Sequence, residues 1–335
     1  MNSVRQTLRC HLNGLNLQFS CSSALAPSLD RRFRYLPPSQ LDCETVYLDF
    51  RSVPNEARHS IEKPAPLSGR HIYELAGGEI RYFASTDELY LSFRNGVRAQ
   101  ANLREGRAVF SIVDADPANV FMASHLLFTI VLVEMLKRRG LYSMHAAAFS
   151  RHGRAILISG TSGAGKSTLA VALLRGGFAY LSDDMVFLSR GSGQVQVLGF
   201  PEDVDVSDNT IGFFPELDFL LRIPSACASP KKQLPPIETY GTELAGSALP
   251  SAIVFPRISP SESSALYPIG ADEALLELVS NVLLTDARSS QQHLNILTEV
   301  ARQTPCYRLE TGRDFDRIPS LLGELLAASP EVLHA

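Results

Sequence analysis

The sequence is poor in cysteine, has no excess of basic residues and contains few long apolar runs. Its five cysteines are widely separated and none forms a CxxC pair, so we expect neither a disulfide framework nor a structural zinc site. This cysteine pattern predicts a cytoplasmic protein. The formal net charge of -4 predicts no nucleic-acid partner, because dedicated nucleic-acid binders usually carry a basic excess. Hydrophobic residues make up 45% and charged residues 20%, which excludes global disorder.

No targeting or membrane-spanning segment stands out. Residues 1–30 are too polar to contain the apolar core of a signal peptide. The most apolar window, residues 120–136, includes Glu134 and is shorter than the roughly 20 residues that a transmembrane helix needs. Three basic residues and then Gly140 follow this window. Basic residues in the last turn and a glycine after it are typical of the C-terminal end of a helix. We therefore expect a buried helix over 118–139 and no membrane insertion.

The first part of the chain, residues 1–115, is predicted to be a smaller, β-rich N-terminal domain. Three segments alternate apolar and polar side chains, as half-buried strands do. Pairs at Gly77–Gly78 and Asn95–Gly96 lie between apolar runs and predict hairpin turns. The three alternating segments are 46–50, 72–75 and 89–93.

The remaining residues, 116–335, alternate between predicted helices and strands, which indicates an α/β layered domain. Residues 200–250 are rich in proline and are predicted to be mostly loops. The predicted strands are 143–149, 155–158, 178–181, 252–255 and 306–309. After the helix at 118–139, the predicted helices are 167–175, 271–285, 290–303 and 315–328.

Residues 160–167 have the sequence GTSGAGKS, which fits the phosphate-binding pattern GxxxxGK[ST] at every fixed position, with a predicted strand before it and a helix after it. Glycines let backbone N–H groups converge on phosphate oxygens, and a helix N-terminus attracts the same anion. In this pattern Lys166 contacts the β- and γ-phosphates of ATP and the Ser167 hydroxyl is offered to Mg²⁺. The predicted nucleotide-binding residues are Gly160, Thr161, Ser162, Gly163, Ala164, Gly165, Lys166, Ser167 and Thr168.

Two adjacent carboxylates, Asp183 and Asp184, follow the predicted strand 178–181. If this strand pairs beside the strand of the phosphate-binding loop, its carboxyl end opens onto the same crevice. One carboxylate can then hold Mg²⁺, and the other can accept a proton from an attacking hydroxyl group.

His145 stands among apolar residues ahead of the predicted strand of the loop. His145 and the segments 160–168, 175–177 and 182–184 occur in a characteristic order and spacing. In this they resemble the catalytic domain of HPr kinase/phosphorylase. They resemble more closely the HPr-kinase-related serine kinases, which are often associated with bacterial peptide-modification gene clusters. The likeness covers 145–188 well, is looser over 252–280 and does not extend to 1–115.

This resemblance implies a fold similar to the nucleotide domain of phosphoenolpyruvate carboxykinase. It also implies ATP- and Mg²⁺-dependent transfer of a phosphoryl group to a serine hydroxyl. When the family's residues are carried over by position, the resemblance makes Asp184 the general base and His145 its hydrogen-bond partner. It makes Asp183 and Ser167 the residues that hold the metal ion.

The chain departs from the HPr kinase pattern downstream of the acidic pair. HPr kinase has a signature rich in arginine and glycine there, whereas residues 206–212 of this chain contain no arginine. Arg222, Lys231 and Lys232 are the candidates to supply the missing positive charge to the transferred phosphoryl group.

Several functions stay open on the sequence alone. The main expectation is a kinase whose acceptor is a serine of a peptide or small protein, with 1–115 serving acceptor docking or homo-oligomer contacts. The alternatives are a kinase of a small hydroxylated metabolite, a non-catalytic ATP-binding sensor or assembly module, and a motor-type ATPase. The arginine finger and distant acidic strand of a motor ATPase are not discernible.

Lys166→Ala tests the phosphate-binding assignment. Removing the ammonium group should strongly reduce phosphoryl transfer and leave the fold intact, because the positive charge that contacts the β- and γ-phosphates is lost. ATP turnover of the variant, together with its circular dichroism spectrum, is the measurement. Turnover at the wild-type rate by a folded variant would contradict the assignment.

Overall fold

A computed structural model of the chain describes residues 5–23, 25–53, 69–75, 77–93, 96–113, 117–191, 193–223, 231–280, 282 and 285–327. The backbone forms two compact units. The first comprises Met1–Leu141 with Leu284–Ser290, and the second comprises Tyr142–Leu283 with Gln291–Ala335. This division falls after Leu141, whereas the predicted domain boundary is at residue 115. The two differ because the helix that follows residue 116 packs on the β-rich sheet of the first unit.

The described strands of the first unit form an eight-stranded sheet. They are β1 (Arg5–Leu12), β2 (Leu15–Ser22), β3 (Glu44–Val53), β4 (Arg70–Leu75), β5 (Gly78–Phe83), β6 (Glu88–Phe93), β7 (Val97–Asn102) and β8 (Arg107–Val113), and the helices are α1 (Ala26–Phe33) and α2 (Pro117–Lys137). The strand order is β1-β2-β3-β8-β7-β6-β5-β4. The β2–β3 and β3–β8 pairs are parallel and the others are antiparallel.

The three strands predicted in this region are confirmed as parts of β3, β4 and β6. Both predicted hairpins are present as the antiparallel pairs β4–β5 and β6–β7. Gly77 and Gly96 have positive φ, as tight turns require. Asn95 lies outside the described residues.

Aromatic side chains fill the core of this unit on one face of the sheet. Phe50 and Phe110 of adjacent strands stack with their ring centroids 4.3 Å apart, and Phe19 stacks on Phe33 of α1 at 4.6 Å. Phe128 of α2 contacts Phe19, Phe33 and Phe110. All five rings are buried, so α1 and α2 cover this face.

Helix α2 is the buried helix predicted over 118–139. It contains a π-helical turn at Ala123–Leu127, and it ends where Gly140 adopts a φ of 75°. Of the helices that the structure describes, α2 has the length and apolar composition to cross a membrane, but 67% of its most apolar stretch is buried. Such burial is typical of a core helix in a soluble protein.

The second unit is an α/β structure with mixed sheets. Its strands are β9 (Tyr142–Arg151), β10 (Arg154–Ser159), β11 (Ala179–Ser182), β12 (Met185–Arg190), β13 (Val195–Leu198), β14 (Val204–Val206), β15 (Lys232–Leu234), β16 (Ser247–Ile258), β17 (Ala265–Ile269) and β18 (Cys306–Thr311). Its helices are α3 (Lys166–Arg175), α4 (Asp208–Ile211), α5 (Pro236–Tyr240), α6 (Ala271–Val279), α7 (Ala287–Gln303) and α8 (Ile318–Ala327), with 3₁₀ turns at Pro215–Arg222 and Phe315–Arg317. The first residues of α7 belong to the first unit.

The main sheet has the strand order β10-β9-β12-β13-β16-β18-β17, with β11 also paired to β9 and β10 also paired to β16. The β10–β16 and β16–β18 pairs are parallel and the others are antiparallel. Strands β14 and β15 form a separate two-stranded ribbon.

Alternation along β10 explains the layers. Ile156 and Ile158 point into one hydrophobic core, which contains the buried residues of α3 and α8. Ala155 and Leu157 point into a second core on the other face, with residues of α6 and α7. Each strand residue faces the side opposite to its neighbours, so one apolar run serves two layers of helices.

The predicted helix 271–285 is too long. Helix α6 ends at Val279, and α7 begins again at Ala287. The side chain of Asp286 accepts hydrogen bonds from the backbone N–H and hydroxyl groups of Ser289, as an N-terminal cap does, so the two helices are not continuous. Residues 281, 283 and 284 lie outside the described part of the chain.

A buried ion cluster lies in the first unit. The Glu134 carboxylate and the Lys137 ammonium of α2 are fully buried and lie 2.5 Å apart. Glu134 also accepts hydrogen bonds from Arg138 at 3.0 Å and from the Thr285 hydroxyl at 2.5 Å. A buried charge is tolerated only when it is paired in this way.

Glu134→Ala should lower the free energy of unfolding by about 3–5 kcal/mol, because it leaves the Lys137 ammonium buried without its carboxylate. Glu299→Ala breaks the more exposed ion pair with Arg190 and should cost at most about 1 kcal/mol. Urea unfolding followed by circular dichroism measures both. Equal, small losses for the two variants would show that the buried pair contributes no more than a surface one.

Candidate functional site

Strand β9 brings the segments of the predicted site together. Its residues 146–151 pair with β10, whereas 142–145 pair with β12. In this register Ser159, the last residue of β10, pairs with the residue that follows His145, and Met185, the first residue of β12, pairs with His145 itself. His145 therefore lies between the start of the glycine-rich loop 160–165 and the end of the acidic pair.

The acidic pair lies in the short connection between β11 and β12. The sequence allowed β11 to pair beside β10. Strand β11 instead pairs with β9, and β9 lies between β10 and β11. Because β10 and β11 are both antiparallel to β9, they run parallel to each other. Their carboxyl ends therefore open on the same side of the sheet, where ligands of α/β sheets bind.

The glycine-rich loop 160–165 connects β10 to α3. Gly163 and Gly165 have φ values of 83° and 99°, in the left-handed region that favours glycine. Gly165 caps the helix, and its carbonyl oxygen accepts the first helical hydrogen bond from Leu169 at 3.1 Å. The hydroxyl of Thr168, in the first turn, lies 3.1 Å from that of Thr210. The loop thus ends at the N-terminus of a ten-residue helix, which can bind an anion.

Lys166 is the first residue of α3, and its side chain folds back over the loop. Its ammonium group donates a hydrogen bond to the carbonyl oxygen of Gly160 at 2.7 Å and another to that of Thr161 at 3.4 Å. Burial lowers the pKa of Lys166, while the charges of Asp184 and Asp183 oppose that change. The ammonium group therefore lies against the loop and interacts electrostatically with the acidic pair.

Asp183 is buried. Its Oδ2 accepts a hydrogen bond from the backbone N–H of Asp205 at 3.0 Å, whereas Oδ1 has no hydrogen-bond partner among the described residues. Burial raises the pKa of Asp183 to about 7, and the charge of Asp184 acts in the same direction. A buried carboxylate oxygen without a donor calls for a proton or a cation.

Asp184, in contrast, is open to solvent. Its side chain is 67% exposed, and its Oδ1 lies 3.3 Å from Nδ1 of His145, which is 31% exposed. The two neighbouring carboxylates therefore differ in exposure, although both lie in the bend that connects β11 to β12. One is thus available to a molecule that arrives from solvent, and the other faces the interior.

Asp205 is a site residue that the sequence analysis missed. It lies in β14, and its backbone N–H group holds Asp183 in place. Burial raises the pKa of its carboxyl group to about 6, and the charge of Lys231 opposes this rise. The alternation Val204-Asp205-Val206 was the available signal, since it predicts a short strand with the carboxylate on the face opposite the two valines.

The three candidate cations have different positions. Arg222 is the last residue of a 3₁₀ turn, and Lys232 donates a hydrogen bond to the carbonyl oxygen of Ile223 at 2.6 Å. The charge of Lys231 acts on Lys166, on Asp183 and on Asp205. Lys231 therefore belongs to the electrostatic surroundings of the site.

The donor set of this site fits Mg²⁺ bound together with phosphate. Within the described ranges no group of three or more His, Cys, Asp or Glu side chains is arranged to hold a metal ion by itself. Mg²⁺ is often held by one or two carboxylates plus the phosphates of a nucleotide, and it prefers oxygen ligands. The unpartnered Oδ1 of Asp183 and the hydroxyl of Ser167 supply ligands of this kind.

Comparisons with known proteins give little independent information. No protein-family model matches the sequence, and no curated protein matches it. Among solved structures, the chain is similar to the Hpr(Ser) kinase/phosphatase from Coxiella burnetii, with 12% sequence identity and a TM-score of 0.31 over 55% of this chain and 88% of that one. This likeness is too weak to carry an argument about function.

Asp183→Asn tests the burial of the inner carboxylate. Because the pKa of Asp183 is raised in the folded protein, its contribution to stability is full below about pH 4 and is lost as the pH rises through about 7. The side-chain amide that Asp183→Asn introduces does not ionise, so the variant does not lose stability in this way as the pH rises. We therefore expect the Tm of the variant, relative to wild type, to increase between pH 5 and pH 8 in metal-free buffer.

Differential scanning fluorimetry with an external dye measures this difference. Asp208→Asn, at an exposed carboxylate of α4, is the control, and its Tm relative to wild type should stay nearly constant. A Tm difference for Asp183→Asn that does not change between pH 5 and pH 8 would contradict the raised pKa.

Proposed function

We propose that the protein is an ATP- and Mg²⁺-dependent kinase that transfers the γ-phosphoryl group to a serine hydroxyl of a peptide or small protein. The observation that carries this proposal is the contrast between two neighbouring carboxylates. Asp183 is buried with one oxygen unpartnered, while Asp184 is exposed and lies 3.3 Å from His145. A phosphoryl transferase needs both environments, one for the charge of the nucleotide and one for the acceptor.

The phosphate side of the site consists of the loop 160–165 and the first turn of α3. Backbone N–H groups there would bind phosphate oxygens, and Lys166 would contact the β- and γ-phosphates once it releases the carbonyl oxygens that it now contacts. Ser167 and Asp183 would hold Mg²⁺, and Asp205 would fix the orientation of Asp183. The ion, when bound, neutralises negative charge on the phosphates.

The acceptor side consists of Asp184 and His145. The serine hydroxyl loses its proton to the Asp184 carboxylate as the bond from serine oxygen to phosphorus forms. The bond between the γ-phosphorus and its bridging oxygen breaks, and ADP leaves with that oxygen. His145 is a positioning residue, because it orients Asp184 and contacts neither reactant in this scheme.

The exposure of Asp184 favours a large acceptor. Its side chain is 67% exposed, so a serine on a peptide or on a protein surface can reach it. The resemblance of residues 145–188 to HPr-kinase-related serine kinases supports the same acceptor group.

Asp184→Asn should bind Mg·ATP with nearly wild-type affinity and lose phosphoryl transfer by about 10²–10⁴-fold, because an amide cannot take the serine proton. His145→Ala should cause a smaller loss, since it removes only the group that orients Asp184. A peptide library containing serine, incubated with γ-labelled ATP, identifies an acceptor. Single-turnover transfer rates then measure both effects.

Asp208→Asn is the matched control, since it makes the same chemical change at an exposed carboxylate of the same unit, and its transfer rate should equal that of wild type. Near-normal transfer by Asp184→Asn would exclude the general-base role. Failure of the wild-type protein to bind Mg·ATP, or to label any serine, would overturn the proposed function.

A further inference from the structure

Strand β16 forms a wall beside the glycine-rich loop 160–165. It pairs in parallel with β10, with Ile158 opposite Val254, and it continues to Ile258. Strand β10 ends at Ser159, one residue after Ile158. At about 3.3 Å per residue, β16 extends about 10 Å past the end of β10. The last residues of β16 therefore lie beside the loop that follows β10.

The side chain of Ile258 lies against this loop. Residues alternate along β16, so Ile258 shares the face of Val254, which packs in the same core as α3. A Cβ atom built on Gly165, the cap of α3, would lie 3.8 Å from Cγ1 of Ile258. One built on Gly160 would lie 3.6 Å from Cδ of Pro256. Ile258 is nevertheless 72% exposed, so its apolar surface is open to a ligand that binds at the loop.

Ile258 and the acidic pair lie on opposite sides of the loop. Strands β11, β9, β10 and β16 are neighbours in that order, and β11, β10 and β16 run in the same direction. The acidic pair follows β11, the loop follows β10, and Ile258 ends β16. All three therefore lie at one edge of the sheet, the edge where α/β sheets bind ligands, and the loop is in the middle.

This order gives a bound nucleotide one direction. In the proposed kinase, the γ-phosphoryl group faces Asp183 and Asp184, while the loop and the N-terminus of α3 bind the phosphates. The nucleoside then leaves the loop on the other side, where β16 ends. A purine has flat, largely apolar faces, and sites for such groups are lined mainly by apolar side chains. A serine acceptor has to reach Asp184 and therefore approaches from the opposite side of the loop.

We propose that Ile258 binds the purine base of ATP by packing against one of its faces. This inference rests on the proposed kinase function and adds to it a residue that binds the nucleoside. Contact between the base and Ile258 removes apolar surface of both from water, which is favourable. The base would thus be held by β16, and the phosphates by the loop and by α3.

The first test separates the base from the phosphates. Ile258→Ala should weaken Mg·ATP binding by about 4- to 15-fold, the loss expected for one or two buried methylene groups, and should change Mg·tripolyphosphate affinity by less than about twofold. Ile258→Leu should retain most of the Mg·ATP affinity. Isothermal titration calorimetry of the full-length protein with each ligand measures these affinities.

Leu276→Ala is the matched control, because Leu276 is 73% exposed on α6 of the same unit, and it should change neither affinity. Equal weakening of both ligands by Ile258→Ala, or no weakening of either, would overturn the inference. Absence of binding of either ligand to the wild-type protein would instead refute the proposed function. The Tm of each variant without ligand, expected to match wild type, separates these outcomes from loss of folding.

The sequence contains no tryptophan, which permits a direct optical test. Ile258→Trp introduces a single indole at this position, where a purine can stack on it. Saturating Mg·ATP should quench the indole fluorescence, whereas saturating Mg·tripolyphosphate should leave it nearly unchanged. Leu276→Trp should respond to neither ligand. Quenching by both ligands alike, or by neither, would contradict a contact between Ile258 and the base.

Discussion

One strand, β9, determines where the reactive groups of this protein lie, because it is hydrogen-bonded along both of its edges. One edge holds β10, which leads into the glycine-rich loop 160–165, and the other holds β11 and β12, which flank the acidic pair. Adjacent strands are about 4.8 Å apart, so β10 and β11, on either side of β9, are about 10 Å apart. His145, on β9 itself, lies between them.

The second constraint is the different burial of two consecutive carboxylates. The connection from β11 to β12 is held by Ser182, whose hydroxyl oxygen lies 2.5 Å from the carbonyl oxygen of Met185 and 3.0 Å from that of Phe200. With the backbone fixed there, Asp183 faces the interior and Asp184 faces solvent. Desolvation makes the ionised form of Asp183 costly, so a nearby cation stabilises the site. In the proposed kinase, binding of Mg²⁺ and nucleotide would therefore be coupled to the ionisation of Asp183.

Much of the fold could be predicted from local patterns. The helix after residue 116, the helix after the loop, and the strands around the loop were predicted within a few residues, because apolar periodicity and glycine turns act over short distances. The end of α6 could not be predicted, because it depends on the cap at Asp286.

The sequence by itself singled out the glycine-rich loop 160–165 and the helix after it, since this motif is contiguous and its glycines are needed for local backbone conformation. It also singled out His145, Asp183 and Asp184. Only the tertiary structure decided that Asp183 is buried and that the β14–β15 ribbon contacts it through the backbone N–H group of Asp205. The physical reason is that strand pairing and desolvation depend on contacts between residues far apart in the chain, which periodicity and spacing do not encode.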